Sequence, residues 1–504
     1  MSVPLDPVPR PLDHLALRGR DDDVALVLRG ETLSWKDLRT RVARLAAWLA
    51  AEVPDKGARV ATWAAKGELT CLIPLAAARA GLVHVPINPL LKRAQVKHIV
   101  ADSGAVLLLG TASRLDTLAD GDVPADCRMV EEGAALAVAK AQDGALPPSV
   151  ADTGELAAIL YTSGSTGKPK GVMLSHANMW LGAVSVAHYL KLAAEDVTLA
   201  VLPLAFDYGQ NQLLSTWYAG GSVVPLDYLL ARDVVKACER HGVTTLAAVP
   251  PLWSQLLEQD WPAAAYERMR RMTNSGGALT SDLSSAMRAK FPQTEIYAMY
   301  GLTEAFRSTY LDPALLERYP TSIGTAIPFA EVLVITDAGQ LAVDGEEGEL
   351  VHCGPLVAQG YWQDAARTAE RFKPAPAMST YGGIAVWSGD RVRRDAHGRL
   401  NFVGRRDAMI KSAGNRISPQ EIEDAALASG QATLAVAFGV PDPKLGQAIV
   451  LVVRGSGDDT ALRAALRRDL PNFMQPAQIR WRDTLPLNPN GKIDRTALAL
   501  EIAA

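Results

Sequence analysis

The sequence predicts an α/β fold in two domains, because strand-like apolar runs alternate with amphipathic helical segments and this pattern changes near residue 404. The chain has 504 residues, more than one hydrophobic core usually organises. Strands separated by helices indicate parallel sheets, since a parallel pair needs a long crossover connection. We therefore expect a large N-terminal domain of parallel-sheet subdomains in residues 1–404 and a small α+β domain in residues 405–504.

The first elements of the large domain follow from local patterns. Residues 25–28 are apolar and strand-like, and the segment from Ser34 to Asp37 has the pattern of a capping box that opens a helix. The apolar residues of that helix recur on one face: Leu38, Val42, Leu45 and Leu49. Further strand–helix units follow at residues 60–63 with 72–80, and at 223–225 with 234–241 and 243–248.

The small domain begins where an apolar run, residues 400–403, leads into Gly404-Arg-Arg-Asp407. After it the pattern is short and mixed. Helical segments are predicted at residues 418–429 and 461–469, and strands at 434–440 and 448–453.

Composition excludes several classes of protein. With 48% apolar and 21% charged residues the chain is an ordinary globular protein, and a net charge of −4 gives no reason to expect nucleic acid or an anionic membrane as partner. The apolar runs are too short to span a bilayer, and residues 1–10 do not have the pattern of a secretory signal. The four cysteines are widely spaced, which favours the reduced cytoplasm.

The most informative segment is Leu160-Tyr-Thr-Ser-Gly-Ser-Thr-Gly-Lys-Pro-Lys-Gly171, which follows the strand-like run 156–160. Glycines let backbone N–H groups approach a polyanion, hydroxyls donate hydrogen bonds to its oxygens, and lysines offset its charge. The residues predicted to bind phosphate are Thr162, Ser163, Gly164, Ser165, Thr166, Gly167, Lys168 and Lys170. We expect a nucleotide triphosphate as the ligand.

A Walker A loop and a flexible linker both fit this segment less well. A Walker A loop has four residues between its glycines and a Ser or Thr after its lysine. Here two residues separate Gly164 from Gly167, and Pro169 follows Lys168. A flexible surface linker would not be expected directly after a buried strand.

Later motifs make the chain resemble one family. They occur in the family's order and are Tyr300-Gly-Leu-Thr-Glu304, Trp387-Ser-Gly-Asp390, Gly404-Arg-Arg-Asp407, Ile410-Lys-Ser-Ala-Gly-Asn-Arg416 and Asn490-Gly-Lys-Ile-Asp-Arg495. Together with the first loop they resemble the AMP-forming adenylating superfamily of acyl-CoA synthetases, luciferases and peptide-synthetase adenylation domains. The resemblance implies a mobile C-terminal cap joined to the large domain at a hinge, which Asp407 matches.

The resemblance also implies how the chain activates an acid with ATP. Lys492 would bridge carboxylate and phosphate, Thr303 would touch the α-phosphate, and Glu304 would bind Mg²⁺. The remaining ATP- or AMP-binding residues would be Tyr300 and Gly301 beside adenine, the turn Gly276, Gly277 and Ala278 against the ring, Asp390 on the ribose, and Arg405. The family motif usually has Thr where Ser388 stands. Gly414 would line the tunnel that admits the thiol of CoA or phosphopantetheine.

The sequence leaves more than one role open for the residues of the pocket that would bind the acid. Asp207, in Phe-Asp-Tyr-Gly, resembles the aspartate with which amino-acid-activating relatives pair the substrate's α-ammonium, but it could also cap a helix starting near Gly209. Arg307 could bind a second carboxylate or form a surface ion pair. Ser275 and Met299 would line the same pocket, although core packing also accounts for Met299.

These observations predict an AMP-forming acid–thiol ligase that acts on a small carboxylic acid and on CoA or a separate carrier protein. Residues 411–419 resemble acyl-CoA synthetases, whereas Asp207 resembles the amino-acid-activating branch that loads a carrier. The Phe-Asp-Tyr-Gly segment and Tyr300-Gly-Leu-Thr-Glu-Ala-Phe-Arg-Ser-Thr-Tyr310 also resemble a bacterial ligase subgroup associated with exosortase loci. From another class, a catalytically silent nucleotide-binding scaffold remains an alternative.

Overall fold

The computed structural model describes residues 5–162, 169–277, 279, 281–405, 410–417, 419–486 and 495–503. The first elements, in chain order, are β1 (Val24–Leu28), β2 (Glu31–Ser34), α1 (Trp35–Glu52), β3 (Arg59–Trp63), α2 (Glu68–Ala80), β4 (Val83–Pro86), α3 (Arg93–Ser103), β5 (Ala105–Gly110), α4 (Ala112–Leu115), β6 (Arg128–Glu131), α5 (Glu132–Ala141), β7 (Leu156–Thr162), β8 (Lys170–Ser175) and α6 (His176–Tyr189). They contain the first predicted strands and helices.

The middle of the chain continues as alternating strands and helices and then mainly as strands. Its elements are β9 (Val197–Ala200), α7 (Asp207–Tyr218), β10 (Ser222–Pro225), α8 (Ala231–His241), β11 (Thr245–Ala248), α9 (Pro250–Leu257), α10 (Ala263–Arg268), β12 (Arg271–Asn274), α11 (Ser281–Lys290), β13 (Glu295–Gly301), β14 (Arg307–Leu311), β15 (Ser322–Ala326), β16 (Glu331–Ile335), β17 (Glu347–Cys353), α12 (Ala365–Arg371), β18 (Phe372–Pro374), β19 (Ile384–Arg394) and β20 (Leu400–Arg405).

The last elements are β21 (Ile410–Ser412), β22 (Asn415–Ile417), α13 (Pro419–Ala428), β23 (Ala432–Asp442), β24 (Gly446–Gly455), α14 (Asp459–Asp469), β25 (Gln478–Trp481) and α15 (Arg495–Ala503). Short 3-10 helices lie at Leu12–Leu17, Thr303–Ala305, Pro313–Leu315 and Asn472–Met474.

Local sequence signals explain where α1 begins. Ser34 accepts a hydrogen bond from the backbone N–H of Asp37, and the Asp37 carboxylate accepts one from the backbone N–H of Ser34, so the predicted capping box is present. The predicted apolar face of this helix, Leu38, Val42, Leu45 and Leu49, is fully buried.

Two sheets of the large domain carry the predicted parallel architecture. One has the order β6-β5-β3-β4-β7-β8 and is parallel except for its edge strand β8. The other runs through β1-β10-β9-β11-β12-β13 with every neighbouring pair parallel. The helices between these strands supply the crossover connections that parallel pairing needs.

The second sheet continues past β13 with antiparallel strands, which the alternating pattern of the sequence did not predict. Their order is β13-β14-β15-β20-β19-β17-β16, with β18 paired to β19. An antiparallel pair needs no helical crossover, so the connections here vary from the short turn between β13 and β14 to the longer segment that contains α12 between β17 and β18.

The C-terminal residues form a separate small sheet, β22-β21-β24-β23 with β25 beside β24. Its buried apolar side chains pack among themselves, with Leu451 and Leu462 in one cluster and Val436 and Leu498 in another. In chain order, β20 is the last strand of the large sheet and β21 is the first strand of the small sheet.

Within the described residues, no helix combines the length and the apolar character needed to cross a bilayer. All four cysteines are buried free thiols, and burial raises the pKa of Cys71, Cys127 and Cys238 to about 12.

Candidate active site

A cavity of about 870 Å³ lies beyond the carboxyl ends of the parallel strands of both sheets. Thr162 ends β7, Gly301 ends β13, and Val249 and Ser275 follow β11 and β12 directly. Ligands of open parallel sheets bind at this edge, because the loops after the strands converge there. Residues of the C-terminal domain, among them Gly414, close the cavity on another side.

The turn between β13 and β14 positions three of the predicted site residues. Thr303 and Glu304 lie in its short 3-10 helix, and Arg307 begins β14. Phe306, just before Arg307, has a φ of +56°, a backbone conformation that side chains rarely adopt. Its ring packs against Gly182 of α6, where a Cβ would lie 2.6 Å from the ring. The turn is therefore held in a strained shape by the packing around it.

Glu304 is buried and belongs to a cluster with Lys170 and Tyr361. Its Oε1 accepts hydrogen bonds from Lys170 Nζ at 3.0 Å and from the Tyr361 hydroxyl at 2.8 Å. Lys170 Nζ lies 2.7 Å from the Tyr361 hydroxyl oxygen and 4.1 Å from the centre of its ring. The positive charge of Lys170 thus compensates a carboxylate that would otherwise be costly to bury.

The residues around Glu304 fit a magnesium ion that is bound together with nucleotide phosphates. Mg²⁺ in such sites takes one or two carboxylates and completes its coordination with phosphate oxygens and water. Glu304 is a carboxylate on the cavity wall, and Thr303 beside it offers a hydroxyl. Among the described residues, no group of three or more His, Cys, Asp or Glu side chains forms a separate metal site.

Asp207 lies on the same cavity wall and is 9% exposed. The Thr303 hydroxyl donates to its Oδ1 at 3.2 Å. Burial raises the pKa of Asp207, and the positive charge of Arg307 acts in the opposite direction. Asp207 is the first residue of α7 and Phe206 holds the N-cap position, so Asp207 does not serve as the helix cap that the sequence left open.

Tyr300 and Asp390 form a second group behind the cavity wall. The Tyr300 hydroxyl donates a hydrogen bond to Asp390, which is buried. Ser388 accepts the backbone N–H of Asp390 at 3.0 Å and donates to the carbonyl of Leu350 at 2.6 Å. The Ser388 hydroxyl therefore connects the backbones of Asp390 and Leu350. Threonine, which is usual in the motif that this segment resembles, carries a hydroxyl at the same place.

The C-terminal domain reaches the cavity through the turn between β21 and β22. Gly414 in this turn has a φ of +77°, and a Cβ there would lie 2.7 Å from three side-chain carbons of Val249. A Cβ on Gly276 would lie 3.3 Å from the carbonyl oxygen of Gly414. Two glycines therefore allow the backbones of the two domains to approach each other beside the cavity.

The structure brings many, but not all, of the predicted residues to the cavity. Its lining includes Thr162, Lys170, Asp207, Ser275, Gly276, Gly301, Thr303, Glu304, Arg307 and Gly414. Gly277, Met299, Tyr300 and Asp390 lie outside this lining, and Met299 is buried with its sulfur 2.9 Å from the Tyr189 hydroxyl. The other predicted residues lie outside the described part of the chain, as does the side chain of Arg405: they are Ser163, Gly164, Ser165, Thr166, Gly167, Lys168, Ala278, Asp407 and Lys492.

Sequence reasoning missed several residues at the site. Tyr361 bonds both Glu304 and Lys170, and its only signal was an aromatic pair after Gly360. Lys66 lines the cavity and donates to the carbonyls of Val201 and Leu226, both at 2.9 Å. No spacing along the chain connects such residues to the motifs.

Comparison with known proteins agrees with this geometry. Residues 13–362 match the family described as AMP-binding enzyme, and residues 421–492 match the AMP-binding enzyme C-terminal domain. The chain is 34% identical over 488 residues to the sulfoacetate–CoA ligase of Cupriavidus necator, covering 93% of this chain and 92% of that protein. It is 30% identical over 495 residues to an L-proline–[L-prolyl-carrier protein] ligase of Pseudomonas fluorescens, covering 95% and 96%.

Among solved structures, an o-succinylbenzoate CoA synthetase from Bacillus subtilis with a bound product analogue is similar in fold, with a TM-score of 0.85, 24% identity and 98% of each chain covered. The same enzyme with its acyl-adenylate intermediate gives a TM-score of 0.71 at 25% identity, covering 97% and 98%. On the family match and the full-length relatives, the chain belongs to the AMP-binding enzyme family, the AMP-forming superfamily of acid–thiol ligases that its motifs resemble.

Proposed function

We propose that this chain uses ATP and Mg²⁺ to adenylate a small carboxylic acid and then transfers the acyl group to the thiol of CoA or of a carrier-bound phosphopantetheine. The observation that carries this proposal is the meeting of Thr303, Glu304, Lys170 and Asp207 with Gly414 of the C-terminal domain at one cavity. The free buried cysteines fit a reducing compartment, so the reaction is assigned to the cytoplasm.

In the first step a carboxylate oxygen attacks the α-phosphorus of ATP, the bond from that phosphorus to the bridging oxygen breaks, and pyrophosphate leaves. Negative charge builds up on the phosphate oxygens, so the site must offer hydrogen-bond donors and cations there. We assign this task to Thr303 and Lys170, which line the cavity in the large domain, and to Lys492 of the C-terminal domain. Mg²⁺ held by Glu304 and phosphate oxygens would offset further charge.

In the second step the thiol sulfur attacks the carbonyl carbon of the acyl adenylate, the bond to the AMP oxygen breaks, and the thiol proton passes to solvent. The turn with Gly414 is assigned to the thiol's path because it borders the cavity. Free CoA is the first acceptor to test, since residues 411–419 resemble acyl-CoA synthetases. Relatives of both kinds, with CoA and with a carrier protein as acceptor, support either thiol.

One observation favours a second candidate, an amino-acid-activating ligase that loads a separate carrier protein. Asp207 presents a buried carboxylate to the cavity, and a substrate ammonium group would pair with it. Asp207→Ala should abolish exchange that depends on an amino acid but spare exchange with an acid that lacks the amino group.

The test is exchange of labelled pyrophosphate into ATP, without any thiol, across amino acids, fatty acids, aryl acids and dicarboxylates. Exchange with one class of acid would support the proposal, and no exchange with ATP binding intact would favour the silent scaffold. Lys492→Ala should lower adenylation by roughly 10²–10³-fold with less effect on thioester formation from supplied adenylate. Equal loss in both steps would argue against this role of Lys492.

A further inference from the structure

Arg307 is a buried cation on the wall of the cavity. Its residue is 3% exposed, and its Nε and Nη2 have no hydrogen-bond acceptor among the described residues. No carboxylate oxygen of the described residues lies within 4.0 Å of its guanidinium, and the nearby Asp207 interacts with it by charge without forming an ion pair. Since a buried charge is normally paired, we expect the guanidinium to pair with an anionic group of a bound ligand.

The groups around Arg307 hold it but do not neutralise it by contact. Its guanidinium carbon lies 4.7 Å from the ring centre of Tyr208 and 5.5 Å from that of Phe306. Tyr208 is itself fixed, because its hydroxyl lies 2.7 Å from the carbonyl oxygen and 2.6 Å from the hydroxyl of Thr273. Burial raises the pKa of the nearby Tyr189 hydroxyl to about 12, although the charge of Arg307 lowers it. The Tyr189 hydroxyl is therefore neutral and supplies no negative charge to Arg307. Aromatic faces and a neutral phenol stabilise a cation without cancelling its charge.

The backbone also restricts the position of Arg307. It follows the strained Phe306, whose carbonyl accepts the backbone N–H of Leu302 at 3.0 Å and so closes the turn. A Cβ on Gly301 would lie 2.7 Å from the Cα of Arg307, so the two strands approach closely at this point. The cation is therefore preorganised on the same turn as Thr303 and Glu304, which are assigned to the α-phosphate and to Mg²⁺.

From this geometry we propose that Arg307 binds a second anionic group of the substrate acid, a carboxylate or a sulfonate separate from the carboxylate that is activated. The inference rests on the proposed adenylation and narrows its substrate class. A planar guanidinium suits such an oxyanion, because two of its N–H groups can bond two oxygens at once. An acid without a second anionic group would leave the guanidinium without a hydrogen-bonded anion, so the site also selects against such an acid.

The experiment is pyrophosphate exchange by the full chain with pairs of acids that differ in the second anion: succinate and butyrate, sulfoacetate and propionate, aspartate and asparagine, glutamate and glutamine. We expect the dianionic member of at least one pair to have a kcat/KM roughly 10²-fold or more higher. If aspartate or glutamate is preferred over succinate, the substrate also carries an amino group, which would pair with Asp207. Equal or better exchange with the members that lack the second anionic group would overturn the proposal.

Arg307→Gln should remove this preference, while exchange with the member that lacks the second anionic group persists. Arg307→Lys should restore part of it, because a charge returns without the planar fork. Arg288→Gln, at an exposed ion pair with Glu317, is the matched control. If Arg307→Gln lowers kcat/KM equally for both members of a pair, Arg307 has a structural role instead. If that variant does not fold, the comparison of the paired acids with the wild-type protein tests the proposal. No exchange with any acid would count against the adenylation proposal itself.

Discussion

Tyr361 shows how a single hydroxyl connects two residues of the candidate site. It donates to Glu304 and lies within hydrogen-bonding distance of Lys170, while its ring faces the Lys170 ammonium. Hydrogen bonds to charged groups are stronger than those between neutral groups. The phenol therefore fixes the relative position of Lys170 and Glu304, the residues proposed to bind phosphate and Mg²⁺.

We predict that Tyr361→Phe lowers kcat/KM for ATP in pyrophosphate exchange by roughly 10-fold or more, because a hydrogen bond to a charged group contributes about 1.5–3 kcal/mol. Steady-state exchange at varied ATP concentration measures the effect. Tyr319→Phe is the control, since Tyr319 contacts arginine side chains through its ring away from the cavity. Unchanged kinetics in Tyr361→Phe would show that Glu304 and Lys170 keep their positions without it.

At the scale of elements, the site depends on two turns from different domains. The β13–β14 turn carries Thr303, Glu304 and Arg307, and the β21–β22 turn carries Gly414. The first is kept in shape by packing within the large domain. The second touches Val249 only when the C-terminal domain is docked as it is here, so its residues affect domain docking as well as local structure.

We predict that Gly414→Ala lowers acyl transfer from supplied adenylate by roughly 10-fold or more while pyrophosphate exchange is largely retained. The new Cβ would lie 2.7 Å from Val249, a β-branched side chain with little freedom to move. Separate assays of the two half-reactions measure this. The double variant Gly414→Ala, Val249→Ala should recover part of the transfer rate. No recovery would assign the loss to backbone strain at the positive φ of Gly414.

At the scale of the whole molecule, the interface between the domains contains a buried carboxyl group. Glu421 of α13 is 8% exposed and lies 3.4 Å from the side-chain nitrogen of Gln95 in α3. The same nitrogen donates to the carbonyl of Asp469 at 3.1 Å. Burial raises the pKa of Glu421 from 4.5 to about 7, opposed by the bond from Gln95 and reinforced by the charge of Asp424.

This raised pKa makes the docked arrangement pH-dependent. Below pH 4.5 the carboxyl group is neutral whether the domains are docked or apart. As pH rises to about 7, only the undocked state ionises freely, so docking loses stability, by up to roughly 3 kcal/mol at higher pH. We predict that energy transfer between dyes on Val150→Cys and Arg468→Cys falls as the pH rises from about 4.5 to about 7.

Glu421→Gln should remove most of this pH dependence, because an amide has no proton to lose in that range. Glu267→Gln, at an exposed position of the large domain, should leave it unchanged. A pH dependence that survives in Glu421→Gln would show that another group controls domain docking.

The sequence by itself determined the parallel α/β architecture, the capped first helix and the family. These depend on signals that are local in the chain: hydrophobic periodicity, the box of Ser34 and Asp37, and motifs such as Tyr300 to Glu304. Only the tertiary structure decided that Tyr361 bonds Glu304, that Gly414 meets Val249, that Met299 lies behind the wall, and that Arg307 is buried near Asp207 without forming an ion pair among the described residues. Burial and pairing arise between residues far apart in the chain, so their electrostatic consequences exist only once the strands and domains have packed together.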